Sequence, residues 1–268
     1  MGISFRRTAA IFLRQIYLLR GSVARFVPLF VWVTVDMTLW GFMSRYLNHF
    51  TGSGYNFVPA LLGSVLLWDF FIRVMQGVTM AFFEDVWSRN FLNIFATPLS
   101  ISEYIGGLVL SSIATSSVGL VVMLVVSTTV FGLSFFEYGV LLAPFILVLF
   151  VFGIALGTLA IALVMRYGPA AEWFVWPIPA LVSPFAGVFY PIGTLPAWMQ
   201  GVSRVLPPSY VFESIRSVLA HRAVSGWMLA VAVGLAVLQL LLACWVFTRT
   251  YRFAVRTGLL ARYSAEAV

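Results

Sequence analysis

Residues 82–100 read FFEDVWSRNFLNIFATPLS, and they separate two long apolar runs. Two adjacent acids, Glu84 and Asp85, open the stretch, and Pro98 closes it. Between them Trp87, Phe91, Ile94 and Phe95 alternate with Arg89, Asn90 and Asn93. This spacing predicts a short two-faced helix over about 84–97, with the rings on one face and Asp85, Arg89 and Asn93 on the other. Acids at its first turn would complement the macrodipole, and Asp85 and Arg89 are four residues apart, as a helical ion pair requires. What such a helix is for depends on what the runs on either side of it do.

Those runs belong to a chain that is 62% hydrophobic and 9% charged, with a mean hydropathy of +1.01. A soluble domain carries roughly 25% charged residues. A chain of 268 residues cannot bury so much apolar surface in one core, so its solvent is lipid. Every basic residue is arginine, and the net charge is +7. Arg6, Arg7, Arg14, Arg20 and Arg25 lie near one terminus, and Arg249, Arg252, Arg256 and Arg262 near the other. This clustering favours anchoring at the cytoplasmic membrane surface over a nucleic-acid partner.

A helix needs about 20 apolar residues to cross the hydrocarbon core. Six spans are predicted, at about 26–44, 57–81, 104–131, 139–165, 171–190 and 226–248. The fold class is therefore an all-α polytopic membrane protein. An even number of spans puts both termini on one side, and the arginines make that side the cytoplasm. The first 25 residues read as a cytoplasmic amphipathic interfacial helix, because Phe5, Ala9, Phe12, Ile16 and Leu19 share a face opposite Arg7 and Arg14. The leading arginines before an apolar stretch resemble a signal peptide, but no small-residue cleavage site follows promptly, so the segment is read as retained. Residues 26–248 form the transmembrane domain, and 249–268 a cytoplasmic tail. Gly107, Ser111, Thr115 and Gly119 recur every fourth residue, and Gly153 and Gly157 form GxxxG. Such ridges let helices pack closely in lipid.

Three charged residues fall inside spans: Asp36 in the first, and Asp69 and Arg73 in the second. Intramembrane charges are costly and mark either function or internal pairing. One reading is a proton or ion relay, or a polar lining for a substrate path. The other is an Asp69–Arg73 pair that neutralises itself, which the i,i+4 spacing favours. Metal and disulfide chemistry have no support: Cys244 is alone, His49 and His221 stand far apart, and there is no HExxH or GxSxG.

Prolines break up the segment WPIPALVSPFAGVFYPIGTLPAWMQGVSRVLPPSYVFESIR, residues 176–216. Pro177, Pro179 and Pro184 fall in or near the fifth span, where each removes a backbone donor. Pro191, Pro196, Pro207 and Pro208 punctuate two short helical pieces, at about 197–206 and 209–220. They are too short to span, so 191–220 reads as an outer re-entrant segment between spans five and six. It forms an outer gate, with Tyr190, Pro191, Trp198 and Phe212 at the interface and Glu213 and Arg216 as an i,i+3 pair.

Two of these phrases resemble the ABC-2 type permeases of ABC transporters: EDVWSRNFLNIFATPLSISEYIGG, and SPFAGVFYPIGTLPAWMQGVSRVLPPSYVFESIRSVL. With the six-span layout, the resemblance covers nearly the whole chain. It departs from the family pattern at Ala186, where relatives often carry serine before the glycine. It implies that the 84–97 helix is a coupling helix docking on an ATPase subunit through Glu84, Asp85, Trp87, Arg89 and Phe91. It also implies two ATPase subunits, a second permease copy as homodimer or heterodimer, and a bacterial cytoplasmic (inner) membrane. The nearest subclasses export polysaccharides, lipid-linked glycans, nodulation factors or drugs, so a hydrophobic, amphipathic or glycan-type substrate is expected. A Walker A motif requires lysine and the chain has none, so ATP and Mg are expected on the partner ATPase and no cofactor on this chain. The alternative from another class is a proton-coupled secondary transporter or channel using Asp36, Asp69 and Arg73, although no inverted repeat of broken helices is visible. An intramembrane enzyme is the third possibility, and it has no motif behind it.

Overall fold

The long apolar runs become helices, and prolines and glycines set the breaks between them. The computed structural model describes residues 4–51, 58–88, 90, 93–94, 96–134 and 139–259. Its helices are α1 (Phe5–Arg20), α2 (Val23–Phe26), α3 (Pro28–Thr51), α4 (Gly63–Trp87), α5 (Ile101–Thr129), α6 (Leu142–Tyr167), α7 (Ile178–Ala186), α8 (Ala197–Ser203), α9 (Pro207–Leu219) and α10 (Gly226–Arg256). A π turn at Val58–Leu62 leads into α4, and 3-10 turns lie at Gly139–Leu141, Pro169–Phe174 and Ile192–Thr194. The described residues contain no strand.

Five helical stretches are long and apolar enough to cross a membrane: Val23–Phe50, Val58–Trp87, Ile101–Thr129, Gly139–Tyr167 and Gly226–Arg256. The run 171–190 forms no long helix. It divides into the 3-10 turn and nine-residue α7, which ends at Gly187 with φ 62°. Nine residues rise only about 14 Å, under half of the roughly 30 Å hydrocarbon core. Proline causes the break, because Pro177 and Pro179 lie at the start of α7 and Pro184 removes a donor within it.

The core has two halves stacked along the long helices. One holds Val65–Leu67, Phe71 and Val74 of α4 with Met123 of α5, Phe145 and Phe152 of α6, and Ala232 and Ala236 of α10. The other holds Val78 and Phe82 of α4 with Leu108 of α5, Ile161 and Met165 of α6, and Phe247 and Ala254 of α10. Successive long helices enter these halves in opposite order, so α4, α5 and α6 run antiparallel. Val175 belongs to the second half, while Ala186 and Val188 belong to the first. The broken segment thus carries the chain from one half to the other.

Small residues set the helix spacing. A Cβ on Gly153 would lie 2.9 Å from Val74 Cγ1, and one on Gly157 2.9 Å from the Met75 carbonyl oxygen. A Cβ on Gly107 would lie 2.5 Å from Ile11 Cβ. The glycine ridges are therefore contact lines, of α6 with α4 and of α5 with α1.

Helix α1 turns its arginine-bearing face toward the body of the protein. Ile11 and Gln15 are buried, Arg7 and Arg14 reach acids on the body of the protein, and Phe5 is exposed. Pairing the two arginines with carboxylates fixes this face against the body of the protein.

Candidate functional site

The acids of the opening stretch do not start a helix. They end one, because α4 continues through Glu84 and Asp85 to Trp87. A helix C-terminus disfavours negative charge. The compensation comes from the N-terminal helices: Arg14 donates to Asp85 Oδ1, and Arg25 Nε lies 3.3 Å from Glu84 Oε1. The Tyr104 hydroxyl donates to Asp85 Oδ2 at 2.8 Å. Asp85 is fully buried, so its carboxylate faces α1 and α5 and is not offered to a partner surface. Burial works against the Arg14 cation, but the hydrogen bond and charge of Asp85 outweigh it and raise the Arg14 pKa above its ordinary value.

Serine and glutamate secure the next element. The Ser100 hydroxyl accepts from the Glu103 amide while the Glu103 carboxylate accepts from the Ser100 amide, a capping box that starts α5. Glu103 Oε1 also accepts from the Ser4 amide at 2.7 Å, and Arg7 Nη1 donates to the Pro98 carbonyl at 2.6 Å. The S-x-x-E spacing of Ser100 and Glu103 is a local signal for this cap. The roles of Arg14 and Tyr104 left no local signal.

Trp87 is 51% exposed, and its indole N–H donates to Glu172 Oε2 at 2.8 Å. This bond joins the last turn of α4 to the 3-10 turn after α6. Tyr167, Trp173 and Phe174 are exposed beside it in sequence. Arg89 and Phe91, the remaining coupling candidates, lie outside the described residues. Ile94 is buried, and Asn93 is exposed with its amide on Asn90 Oδ1.

Asp36, Asp69 and Arg73 line one cavity of about 620 Å³ between α1, α2, α3, α4 and α5. The Asp69–Arg73 ion pair expected from the spacing is not formed. Arg73 instead lies along α5, where a Cβ on Gly119 would meet its Cδ at 3.0 Å. Asp69 Oδ2 and Arg73 Nε are buried without a hydrogen-bond partner. The missing side chain at Gly119 leaves the room in which the Arg73 side chain lies.

The expected gate residues divide into exposed and buried. Trp198 is 67% exposed, Pro191 is exposed and Tyr190 is half-buried, its hydroxyl donating to the Pro184 carbonyl at 2.9 Å. Phe212 was expected at the interface. It is fully buried, against Trp68 of α4, because α9 packs its apolar face into the core. Arg216 Nη2 donates to Glu213 Oε1 at 3.0 Å, and Arg216 Nη1 to the Gly187 carbonyl at 2.8 Å. Glu213 Oε1 also accepts from the Ile192 amide at 2.7 Å. The pair is thus a clamp that holds the 187–192 turn against α9. The two short helices fall close to the expected ranges, at Ala197–Ser203 and Pro207–Leu219.

A family model for ABC-2 type transporters matches residues 8–220. The chain belongs to the ABC-2 type transporter family. No curated protein matches it. An ABC-2 type chain is a membrane permease component of an ABC transporter, a transport part that associates with ABC ATPase subunits. The match runs from α1 to the end of α9 and so includes the Asp85 hub, the charged cavity and the Glu213–Arg216 clamp.

Proposed function

We propose that this ABC-2 chain is the permease subunit of an exporter, acting beside a second permease copy and driven by two separate ATPase subunits that carry ATP and Mg. The observation behind this reading is the Trp87–Glu172 bond, which joins two turns at one end of the bundle and leaves aromatic side chains exposed there. A rigid, aromatic-rich surface built from two turns suits a partner that must transmit motion into the helices. Trp87, Arg89 and Phe91 form the contact. Glu84 and Asp85 brace it from behind through Arg25 and Arg14.

The six-pass path uses the broken segment 171–190 as the fifth crossing, consistent with its passage between the two core halves. Both termini then lie on one side, and the arginine excess makes that side the cytoplasm, with the bacterial inner membrane as the location. The cargo is hydrophobic, amphipathic or glycan-type, and it leaves past the segment 191–220.

The test is reconstitution with the partner ATPase. Trp87→Ala and Arg89→Glu are expected to leave insertion intact and ATP hydrolysis running while export falls. Normal export in both variants would remove the coupling assignment. Export that continues without ATP and collapses with the proton gradient would replace the whole reading by that of a proton-coupled carrier.

A further inference from the structure

We propose that the cavity beside Asp36, Asp69 and Arg73 binds an amphiphile with one positively charged, ammonium-type head. The inference begins with unsatisfied polar atoms. Asp69 Oδ2, Arg73 Nε, Gln15 Nε2 and Ser116 Oγ are buried without a partner in the chain, and all four residues line this cavity. Gln15 is 8% exposed and Ser116 is 1% exposed, so bulk solvent does not serve them. A packing defect that stays dry has apolar walls, whereas a wall with donors and acceptors holds water or ligand. The volume of about 620 Å³ lies within the roughly 300–1,000 Å³ typical of small-molecule sites.

Charge selects the ligand. Arg25 and Glu84 also line the cavity, and they neutralise each other at 3.3 Å. This leaves two carboxylates, Asp36 and Asp69, facing the single guanidinium of Arg73. With both carboxylates ionised one negative charge is in excess, and in a low-dielectric site it is met by a proton held between them or by a bound cation that displaces that proton. A cationic head offsets that excess, a neutral sugar leaves it, and a phosphate or sulfate adds to it. Trp32 and Trp176 line the same cavity, and indole faces also attract cations. The unpartnered donors on Arg73, Gln15 and Ser116 would take a carbonyl or hydroxyl oxygen next to the charge.

Shape sets the remainder of the ligand. From Asp69 to Glu84 the cavity follows fifteen residues of α4, about 22 Å along the helix. Ile16, Leu19, Ile72 and Met80 line its sides. A slot of that length, with these apolar side chains among its polar ones and two carboxylates in its wall, fits a chain with a charged head better than a compact polar solute. Only the step from binding to export rests on the transporter reading, so binding is measured on the full chain without its ATPase.

The experiment uses dodecyl probes carrying a photoreactive diazirine and one of three heads: trimethylammonium, glucoside or phosphate. The chain is held in phosphatidylcholine nanodiscs, and labelled peptides are mapped by mass spectrometry. The ammonium probe is expected to label α3 and α4 around residues 32–36 and 69–80 about tenfold more than the other two heads. The double change Asp36→Asn with Asp69→Asn should abolish that preference, and Arg73→Gln should strengthen it. Should the double variant fail to fold, Asp36→Asn alone, at a half-buried position, is expected to weaken labelling and Asp36→Glu to retain it. Equal labelling by all three heads, an unchanged preference in the asparagine variants, or labelling nowhere in the cavity would overturn the proposal. Competition by a bilayer lipid with one net positive charge, lysyl-phosphatidylglycerol, separates the two sources of such a head. Loss of labelling in its presence identifies a cationic lipid of the bilayer as the occupant, and unchanged labelling identifies a soluble cationic amphiphile, the cargo class; either result presupposes the cationic site.

Discussion

Arg14 on α1 and Asp85 at the end of α4 are 71 residues apart in sequence, and they form an ion pair in which the carboxylate is fully buried. With Tyr104 as the second donor, this contact fastens the N-terminal helix to the last turn of α4 and to α5. A buried acid with two donors is stable only while both are in place, so the N-terminal helix governs how firmly that turn is held.

Removing one partner should therefore be costly. Arg14→Ala leaves Asp85 buried without its cation and is expected to cost about 3 kcal/mol, read as a lowered unfolding temperature in detergent. Asp85→Asn combined with Arg14→Gln should be less damaging than the sum of the single changes, because no uncompensated charge remains. Strict additivity in this cycle would show that the pair contributes nothing.

The clamp on α9 makes a second prediction. Arg216→Ala removes two donated bonds and leaves Glu213 with only the Ile192 amide. A loss of about 2 kcal/mol is expected, as for hydrogen bonds to charged groups. Proteolysis should then begin at the 187–196 turn while the long helices remain protected. Unaltered cleavage there would mean that the turn is held by its prolines alone.

Close helix packing is tested by adding a single methyl group. Gly157→Ala would place a Cβ 2.9 Å from a backbone carbonyl of α4, which cannot rotate away as a side chain can. The helices must separate, at a cost of about 1–3 kcal/mol. At Gly234 on α10 a Cβ meets nothing within 4 Å, so Gly234→Ala is the control and should leave the unfolding temperature unchanged or raised. Equal effects at the two positions would rule out a contact line at Gly157.

The six-pass path predicts which side of the membrane the short helices face. In a Cys244→Ala background, Gly201→Cys and Ala220→Cys introduce thiols at exposed positions. Both should react with a membrane-impermeant thiol reagent added from outside intact cells. Reaction only after the inner face is opened would reverse the orientation and with it the direction of transport.

Composition and spacing alone determine much of this protein. Long apolar runs with few charges can satisfy their backbone in lipid only as helices, so the helical class and five of the membrane-spanning lengths follow directly from the sequence. The short helices after Gly187 follow from proline, which removes donors wherever it stands. The family phrases are likewise local strings, legible without a fold. Tertiary structure decided the rotation of α1, the inward turn of Asp85, the burial of Phe212 and the separation of Asp69 from Arg73. In each case a residue distant in the chain supplied the deciding partner: Asp85 and Glu103 for the arginines of α1, Trp68 for Phe212, and the space at Gly119 for Arg73. Helical periodicity shows which residues share a face, but a charged face and an apolar face can both be buried in a membrane protein. Which one turns inward depends on where the opposite charge stands on another helix, and only the packed chain contains that information.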